Sequence, residues 1–296
     1  MSDSLKGVLW MLGSVLSFTA MAIAGRAVST ELDTFEIMLF RSLLGVTIIS
    51  LILTKTKAWD QITGRDFHLH LGRNIAHFTG QNLWFFALAS IPLAQVFALE
   101  FTTPIWVILL APIFLKERWS LSTLLCAALG FLGILAIARP GVIPMGVGFI
   151  TAACSAIGFA ITMLFTKHLT KRNSTITILF YLTSMQAVFG LICAGYDGDI
   201  TLPSLSSLPY VILIGLTGLT AHWSITSALQ LAPPSLVAPV DFIRLPLIAV
   251  VGAVFYGESV DNWLILGASL ILAGNYANIL LQLRATRSHR HKFDTT

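Results

Sequence analysis

The sequence predicts an all-α membrane protein with ten transmembrane helices arranged as two inverted five-helix repeats. Three observations predict this fold: an apolar composition, a series of apolar stretches, and a self-similarity at one constant offset. The 296 residues are 56% hydrophobic and only 11% charged, and the mean hydropathy is +0.83. One water-soluble core cannot enclose that much apolar surface, so we expect the bilayer to solvate most of the chain.

The apolar stretches give the expected spans. A helix that crosses the hydrocarbon core needs about 20 mainly apolar residues. Ten such stretches, joined by short connections, lie near residues 6–25, 36–54, 72–90, 93–114, 119–138, 145–166, 175–195, 207–230, 234–256 and 262–283. The expected units are a first repeat at 6–139, a second repeat at 145–283, and a basic cytoplasmic tail at 284–296.

The basic residues orient the chain. With a cytoplasmic N-terminus, 14 of the 18 Lys and Arg residues fall on the inner side, and only Arg26 and Arg139 fall on the outer side. The positive-inside rule therefore predicts that both termini are cytoplasmic in a multi-pass protein of the cytoplasmic (inner) membrane. The formal charge of +4 is spread over the connections rather than gathered in a stripe, which argues against a nucleic-acid partner.

A shift of 141 residues brings the two halves of the sequence into register. The aligned pairs include Phe18 with Phe159, Pro92 with Pro233, Glu100 with Asp241, and Glu117 with Glu258. Because each unit has an odd number of spans, the second copy must begin on the opposite side of the membrane. Inverted repeats of this kind are typical of secondary transporters, in which a midplane site at the repeat interface opens to alternate sides.

Two corresponding segments resemble a known family. They are PIWVILLAPIFLKER at Pro104–Arg118 and LIAVVGAVFYGES at 247–259, and they are similar to the EamA family of the drug/metabolite transporter superfamily. Leu39-Phe40-Arg41-Ser42 is similar to a branch that includes S-adenosylmethionine and riboflavin carriers. The resemblance extends over residues 6–283 and implies two five-helix repeats that transport a small metabolite.

Four charged residues fall within the predicted spans: Arg41, Glu100, Asp241 and Arg244. An unpaired charge at the bilayer centre costs about 2.5–3.5 kcal/mol, so these residues should be paired or face water. Counting from the span ends places Arg41 and Glu100 in the outer half, and Asp241 and Arg244, one helical turn apart, in the inner half. We therefore expect two ion pairs, one of which loosens when one side opens. Alternatively, both pairs only lock helices together.

Two prolines interrupt each of the fourth and ninth stretches. They are Pro104, Pro112, Pro239 and Pro246. Interrupted spans at corresponding places in two repeats point to a transport site. Glu100 and Asp241 lie in these stretches, and either is a candidate for taking up a coupling proton.

Polar and aromatic residues also cluster in the third and eighth stretches. They are His77, Gln81, Asn82 and Trp84 in the third, and His222 and Trp223 in the eighth. Such side chains suit a solute with a ring and a charged or amide group. The alternative is that they form interhelical hydrogen bonds and packing contacts.

The sequence contains no phosphate loop, hydrolase motif or paired-cysteine signature, so we expect no cofactor, no metal and no ATP-driven mechanism. It predicts a secondary transporter, a monomer or homodimer, that moves a small amphiphilic or aromatic metabolite by alternating access. Two other functions stay open: a membrane-embedded enzyme that uses Glu100 or Asp241, and a sensor or assembly subunit that transports nothing. The inverted repeat favours the transporter, because neither alternative requires it.

Overall fold

The computed structural model describes residues 3–115, 120–139, 145–232 and 240–293. Within these ranges the chain is helical and contains no β-strand. The helices are α1 Asp3–Val28, α2 Thr34–Thr56, α3 Phe67–Ser90, α4 Leu93–Glu100, α5 Thr103–Leu115, α6 Leu121–Ala138, α7 Val147–Leu169, α8 Thr175–Ala194, α9 Leu208–Leu231, α10 Arg244–Tyr256 and α11 Asn262–Phe293. A short 3-10 turn, Trp59–Gln61, lies between α2 and α3.

The described part of the chain contains eight helical segments that are long and apolar enough to cross a membrane. They include Leu93–Phe114, which combines α4 with most of α5, while α10 is a shorter apolar helix. α3 is not among the eight, although it is 24 residues long. Its sequence includes three histidines, two asparagines and a glutamine, which lower its hydropathy. The chain is therefore a multi-pass, all-helical membrane protein.

Polar caps fix where several helices begin. Asp33 accepts a hydrogen bond from the Glu36 amide (2.8 Å), and Glu36 accepts one from the Asp33 amide (2.9 Å), which closes a capping box at α2. The second Glu36 oxygen accepts a hydrogen bond from the Thr201 amide at 2.6 Å. The start of α2 is thereby tied to the segment that leads into α9.

The helices pack in a regular set of pairs. The most extensive contacts join α1 with α9, α3 with α7, α6 with α11, and α2 with α8. α4 packs against α10 and lies within the main apolar core. Trp84, Phe85 and Phe97 in this core are each no more than 1% exposed. The core therefore surrounds the junction between α4 and α5.

α6 and α11 approach each other closely because small residues face each other at the contact. A Cβ atom added at Gly133 would lie 2.5 Å from the Gly267 carbonyl oxygen, and one added at Gly267 would lie 2.5 Å from the Gly133 carbonyl oxygen. These are backbone contacts, so a larger residue must separate the helices. Small residues at close crossings are a common way to pack helices in membranes.

We expect the Gly133→Ala variant to be less stable than the wild-type protein by about 1–3 kcal/mol, because overpacking forces a backbone shift. The Gly64→Ala variant is the matched control, since a Cβ atom there meets nothing within 4 Å. Unfolding of the purified proteins in mixed micelles measures the difference. Equal stability of the two variants would show that the α6–α11 contact is not tightly packed.

Candidate functional site

Two helices are interrupted at the same position of the sequence repeat. The first turn, at Phe101-Thr102, separates α4 from α5, with the Thr102 amide bonded to the Leu99 carbonyl at 3.0 Å. The second turn, at Phe242-Ile243, precedes α10, with the Ile243 amide bonded to the Val240 carbonyl at 3.1 Å. The 141-residue shift places Phe101 on Phe242. The chain thus breaks both helices at equivalent points.

Pro104 and Pro246 follow these interruptions instead of forming them. Pro104 is the second residue of α5, where a missing amide proton leaves no helical hydrogen bond unmade. Pro246 is the third residue of α10, and Pro112 lies inside α5. Pro239 lies outside the described residues. The predicted interruptions are present, but they lie a few residues before Pro104 and Pro246 instead of at these prolines.

Three charged side chains meet at the two interruptions. Arg244 Nη2 lies 3.0 Å from Glu100 Oε1 and 3.2 Å from Asp241 Oδ2. Glu100 is the last residue of α4, and Arg244 is the first residue of α10. Arg244 is 4% exposed. With both carboxylates ionised, this cluster carries one excess negative charge.

Aromatic rings enclose the Arg244 guanidinium. Its Cζ atom lies 4.8, 5.2 and 5.0 Å from the ring centroids of Phe18, Phe97 and Phe101. Arg244 Nε and Nη1 have no hydrogen-bond partner among the described residues. The ring faces therefore provide the contact that these donors lack, through cation–π attraction.

Trp84 completes the cluster from α3. Its indole Nε1 donates a hydrogen bond to Glu100 Oε2 at 2.9 Å. Asn275 on α11 donates to the Phe101 carbonyl at 2.7 Å. The turn between α4 and α5 frees this carbonyl from regular helical bonding, and Asn275 satisfies it.

The predicted Arg41–Glu100 ion pair is wrong. Glu100 pairs with Arg244, and no carboxylate in the described ranges lies within ion-pair distance of Arg41. Glu100 is the last of the eight residues of α4, and α4 packs against α10, so the Glu100 carboxylate meets Arg244 at the start of α10. Counting residues from span ends does not show which helices are neighbours, so it did not identify the partner of Glu100.

Arg41 instead binds a neutral partner. Its Nη1 donates to Gln81 Oε1 at 2.7 Å and contacts the Met38 sulfur at 3.6 Å. Arg41 is 7% exposed. It is therefore a buried cation outside the Glu100–Arg244–Asp241 cluster.

The other predicted residues separate into buried and exposed groups. The His77 and His222 rings make an edge-to-face contact, with centroids 5.5 Å apart. Both His77 ring nitrogens lack a partner in the described part of the structure. Asn82 donates to the Phe78 carbonyl of its own helix at 2.7 Å. Trp223 is 43% exposed and lies beside Ser174 and Thr226, so it does not join the buried group.

A second ion pair, which the sequence did not suggest, closes one end of the bundle. Arg26 at the end of α1 pairs with Glu258 and donates to the carbonyls of Leu88 and Ile91. Glu258 also accepts a hydrogen bond from the Leu93 amide at the start of α4, at 2.8 Å. Glu117, the repeat counterpart of Glu258, lies outside the described residues. The signal available in the sequence was the alignment of these two glutamates.

The fold and the buried charged site define the chain as a polytopic helical membrane protein of the transporter class. A family model for the EamA-like transporter family matches residues 5–139 and 146–280. The chain belongs to this family. Its function is therefore membrane transport, and its solute is a small metabolite.

Relatives of this chain carry transporter names. A riboflavin transporter of Rhizobium johnstonii is 32% identical over 222 residues, which cover 74% of this chain and 72% of the relative. An S-adenosylmethionine uptake transporter of Rickettsia bellii is 24% identical over 92% of this chain and 94% of the relative. A solved crystal structure matches with a TM-score of 0.64 at 16% identity, over 94% of this chain and 98% of that one. That structure supports the fold alone.

We expect the double variant Glu100→Gln/Asp241→Asn to lose about 3–5 kcal/mol of stability, because it leaves the buried Arg244 guanidinium without a countercharge. Each single variant keeps one carboxylate and should lose much less. Adding Arg244→Met to the double variant removes the uncompensated charge and should restore much of the loss. If the triple variant is no more stable than the double variant in detergent unfolding, the charge balance does not hold this site together.

Proposed function

We propose that the chain is a secondary transporter that moves its solute across the cytoplasmic membrane by alternating access. In this proposal the chain has ten spans in two inverted repeats, at 6–139 and 145–283, and both termini lie in the cytoplasm. The charge distribution of the connections supports this orientation. The proposal is carried by one observation: two helices interrupted at equivalent repeat positions meet at a buried charged cluster.

The helix pairing supports the two-fold relation between the halves. Exchanging the repeats converts the α1–α9 contact into the α7–α3 contact. The α2–α8 and α6–α11 contacts each map onto themselves. All four are the most extensive contacts in the described structure. A pairing that is unchanged by exchange of the halves allows the two repeats to trade conformations, which is how such transporters open to alternate sides.

The excess charge of the cluster gives the site its chemistry. Two carboxylates face one guanidinium, and Asp241 Oδ1 has no hydrogen-bond partner among the described residues. A proton, or a cationic group of the solute, balances the second carboxylate. Binding at this site therefore changes the attraction between Glu100 at the end of α4 and Arg244 at the start of α10.

The Arg26–Glu258 pair is the proposed closure of the outer side. Glu258 follows α10, and it holds both Arg26 and the first amide of α4. An opening between the halves at this end must break these contacts. The structure then corresponds to a state sealed on the outer side.

The relatives narrow the solute class. Those named above carry S-adenosylmethionine and riboflavin, which both combine a flat ring system with polar groups. We therefore propose an amphiphilic, ring-bearing metabolite as the solute.

Flux into vesicles tests the transport site. The purified protein is reconstituted and assayed with labelled S-adenosylmethionine, riboflavin, nucleobases and amino acids, with and without a proton gradient. We expect Glu100→Gln and Asp241→Asn to reduce the flux of the selected solute at least tenfold, because each alters the charge that binding must balance. Full transport by both variants would exclude the site, and a chemically altered product would favour an enzyme.

Cysteine accessibility tests the outer closure. In a background without the three native cysteines, a cysteine at Phe97 reports water access to the site. We expect Glu258→Gln to increase its labelling by an impermeant thiol reagent added outside, because the variant weakens the contact with Arg26. Arg139→Gln is the matched control, since it breaks the Arg139–Asp261 pair (2.6 Å) without touching α4. Equal labelling of both variants would contradict the proposed closure.

A further inference from the structure

A small cavity between α2, α8 and α9 lies apart from the three-charge cluster. Its walls include Arg41 and Ser42 from α2, Thr183 and Gln186 from α8, and Gly218 from α9. A Cβ atom at Gly218 would lie 2.7 Å from Arg41 Nε. The glycine therefore makes room for the guanidinium at the cavity wall.

Two hydrogen-bond donors at this cavity are poorly satisfied. Arg41 is 7% exposed, and its charge is met by the neutral Gln81 instead of a carboxylate. Gln186 is 1% exposed, and its Nε2 has no partner among the described residues. Buried donors normally find acceptors. A guanidinium and an amide N–H in one cavity together suit a ligand with several acceptor atoms and a negative charge.

The duplicated fold does not require Arg41 and Gln186. The 141-residue shift places Arg41 on Leu182 and Gln186 on Gly45, while Ser42 falls on Thr183. Where both repeats pack in the same way, the two copies have similar residues at the equivalent positions, as Ser42 and Thr183 do. Arg41 and Gln186 each appear in one copy only, at the level where α2 packs on α8. Their chemistry therefore serves something other than the common scaffold.

We propose that this cavity, which has a volume of about 10 Å³ in this state, is the closed form of an oxyanion subsite, in which Arg41 and Gln186 bind a carboxylate or phosphate group of the transported solute. The proposal rests on the transport function above and deepens it. The solute then carries an acidic group in addition to its ring. Gln81 positions the guanidinium and leaves its charge available, which a carboxylate at the same place would not do.

Matched ligand pairs test the subsite. Binding is measured by calorimetry on the full chain in phosphatidylcholine nanodiscs. The probes are S-adenosylmethionine with its carboxamide, and riboflavin 5′-phosphate with riboflavin. In the wild-type protein we expect, for at least one pair, that the member with the carboxylate or phosphate binds tenfold or more tightly than the member without it.

Two substitutions should remove that preference. Arg41→Gln removes the cation, and Gln81→Glu supplies an internal countercharge that keeps the buried arginine paired. Because Gln81→Glu adds a partner, it should preserve or raise the melting temperature while it abolishes the preference. Arg73→Gln is the control: Arg73 is also buried, but it bonds Thr166 at 2.8 Å and lies near the start of α3, away from the cavity.

Each outcome decides the proposal. Loss of the preference in Arg41→Gln and Gln81→Glu, but not in Arg73→Gln, supports it. Persistence of the preference in the first two variants overturns it. Equal wild-type affinity for both members of every pair overturns the subsite and leaves the transport function standing, whereas no binding by any probe counts against both. If phosphatidylglycerol in the nanodiscs displaces the acidic probe from the wild-type protein, a lipid headgroup occupies the cavity and the solute proposal falls.

Discussion

The contact of one guanidinium with two carboxylates at a pair of helix ends organises this molecule. Arg244 is surrounded by apolar core and three aromatic rings, where an unpaired charge is costly. Glu100 and Asp241 compensate it, and they can do so only because α4 ends at Glu100 and α10 begins at Arg244. The interruption of the helices and the position of the charges are therefore one feature.

We propose that this arrangement links binding at the Arg244 cluster to the relative position of α4 and α10. α4 packs against α10. The first amide of α4, that of Leu93, donates a hydrogen bond to Glu258, which follows the C-terminal end of α10. In the proposed mechanism, a ligand or proton that alters the charge balance at Arg244 acts on the same two helices that close the outer side. The close α6–α11 contact needs no such change, because it maps onto itself when the repeats exchange. A rigid scaffold of this kind beside a pair of short helices suits a transporter that rearranges around a fixed site.

The sequence predicted the all-helical membrane class, and the family resemblance was confirmed. Composition and spacing were sufficient for this, because bilayer thickness imposes both. The 141-residue shift also identified Glu100 and Asp241 as related positions, and the structure brings both onto Arg244.

The predictions that were wrong, and the contacts that were missed, depend on how deep a residue lies in the membrane and on which helices pack together. Counting residues along the spans predicted an ion pair between Glu100 and Arg41. In the structure α4 packs against α10, so Glu100 pairs with Arg244 instead. Phe18 was visible as a repeat partner of Phe159, but its place over the guanidinium depends on how α1 packs. The Arg26–Glu258 pair joins residues 232 positions apart, and no local pattern encodes such a contact.

We propose that charge at Arg244 couples the two ends of the bundle. Electron–electron distance measurements test it with one spin-label pair at Ser90 and Ser259 and another at Gly64 and Lys171, all exposed positions. When the solute selected by the flux panel is added, one distance should lengthen as the other shortens, and Asp241→Asn should abolish this opposed change. Distances that do not respond, that move together, or that respond equally in the variant would contradict the account.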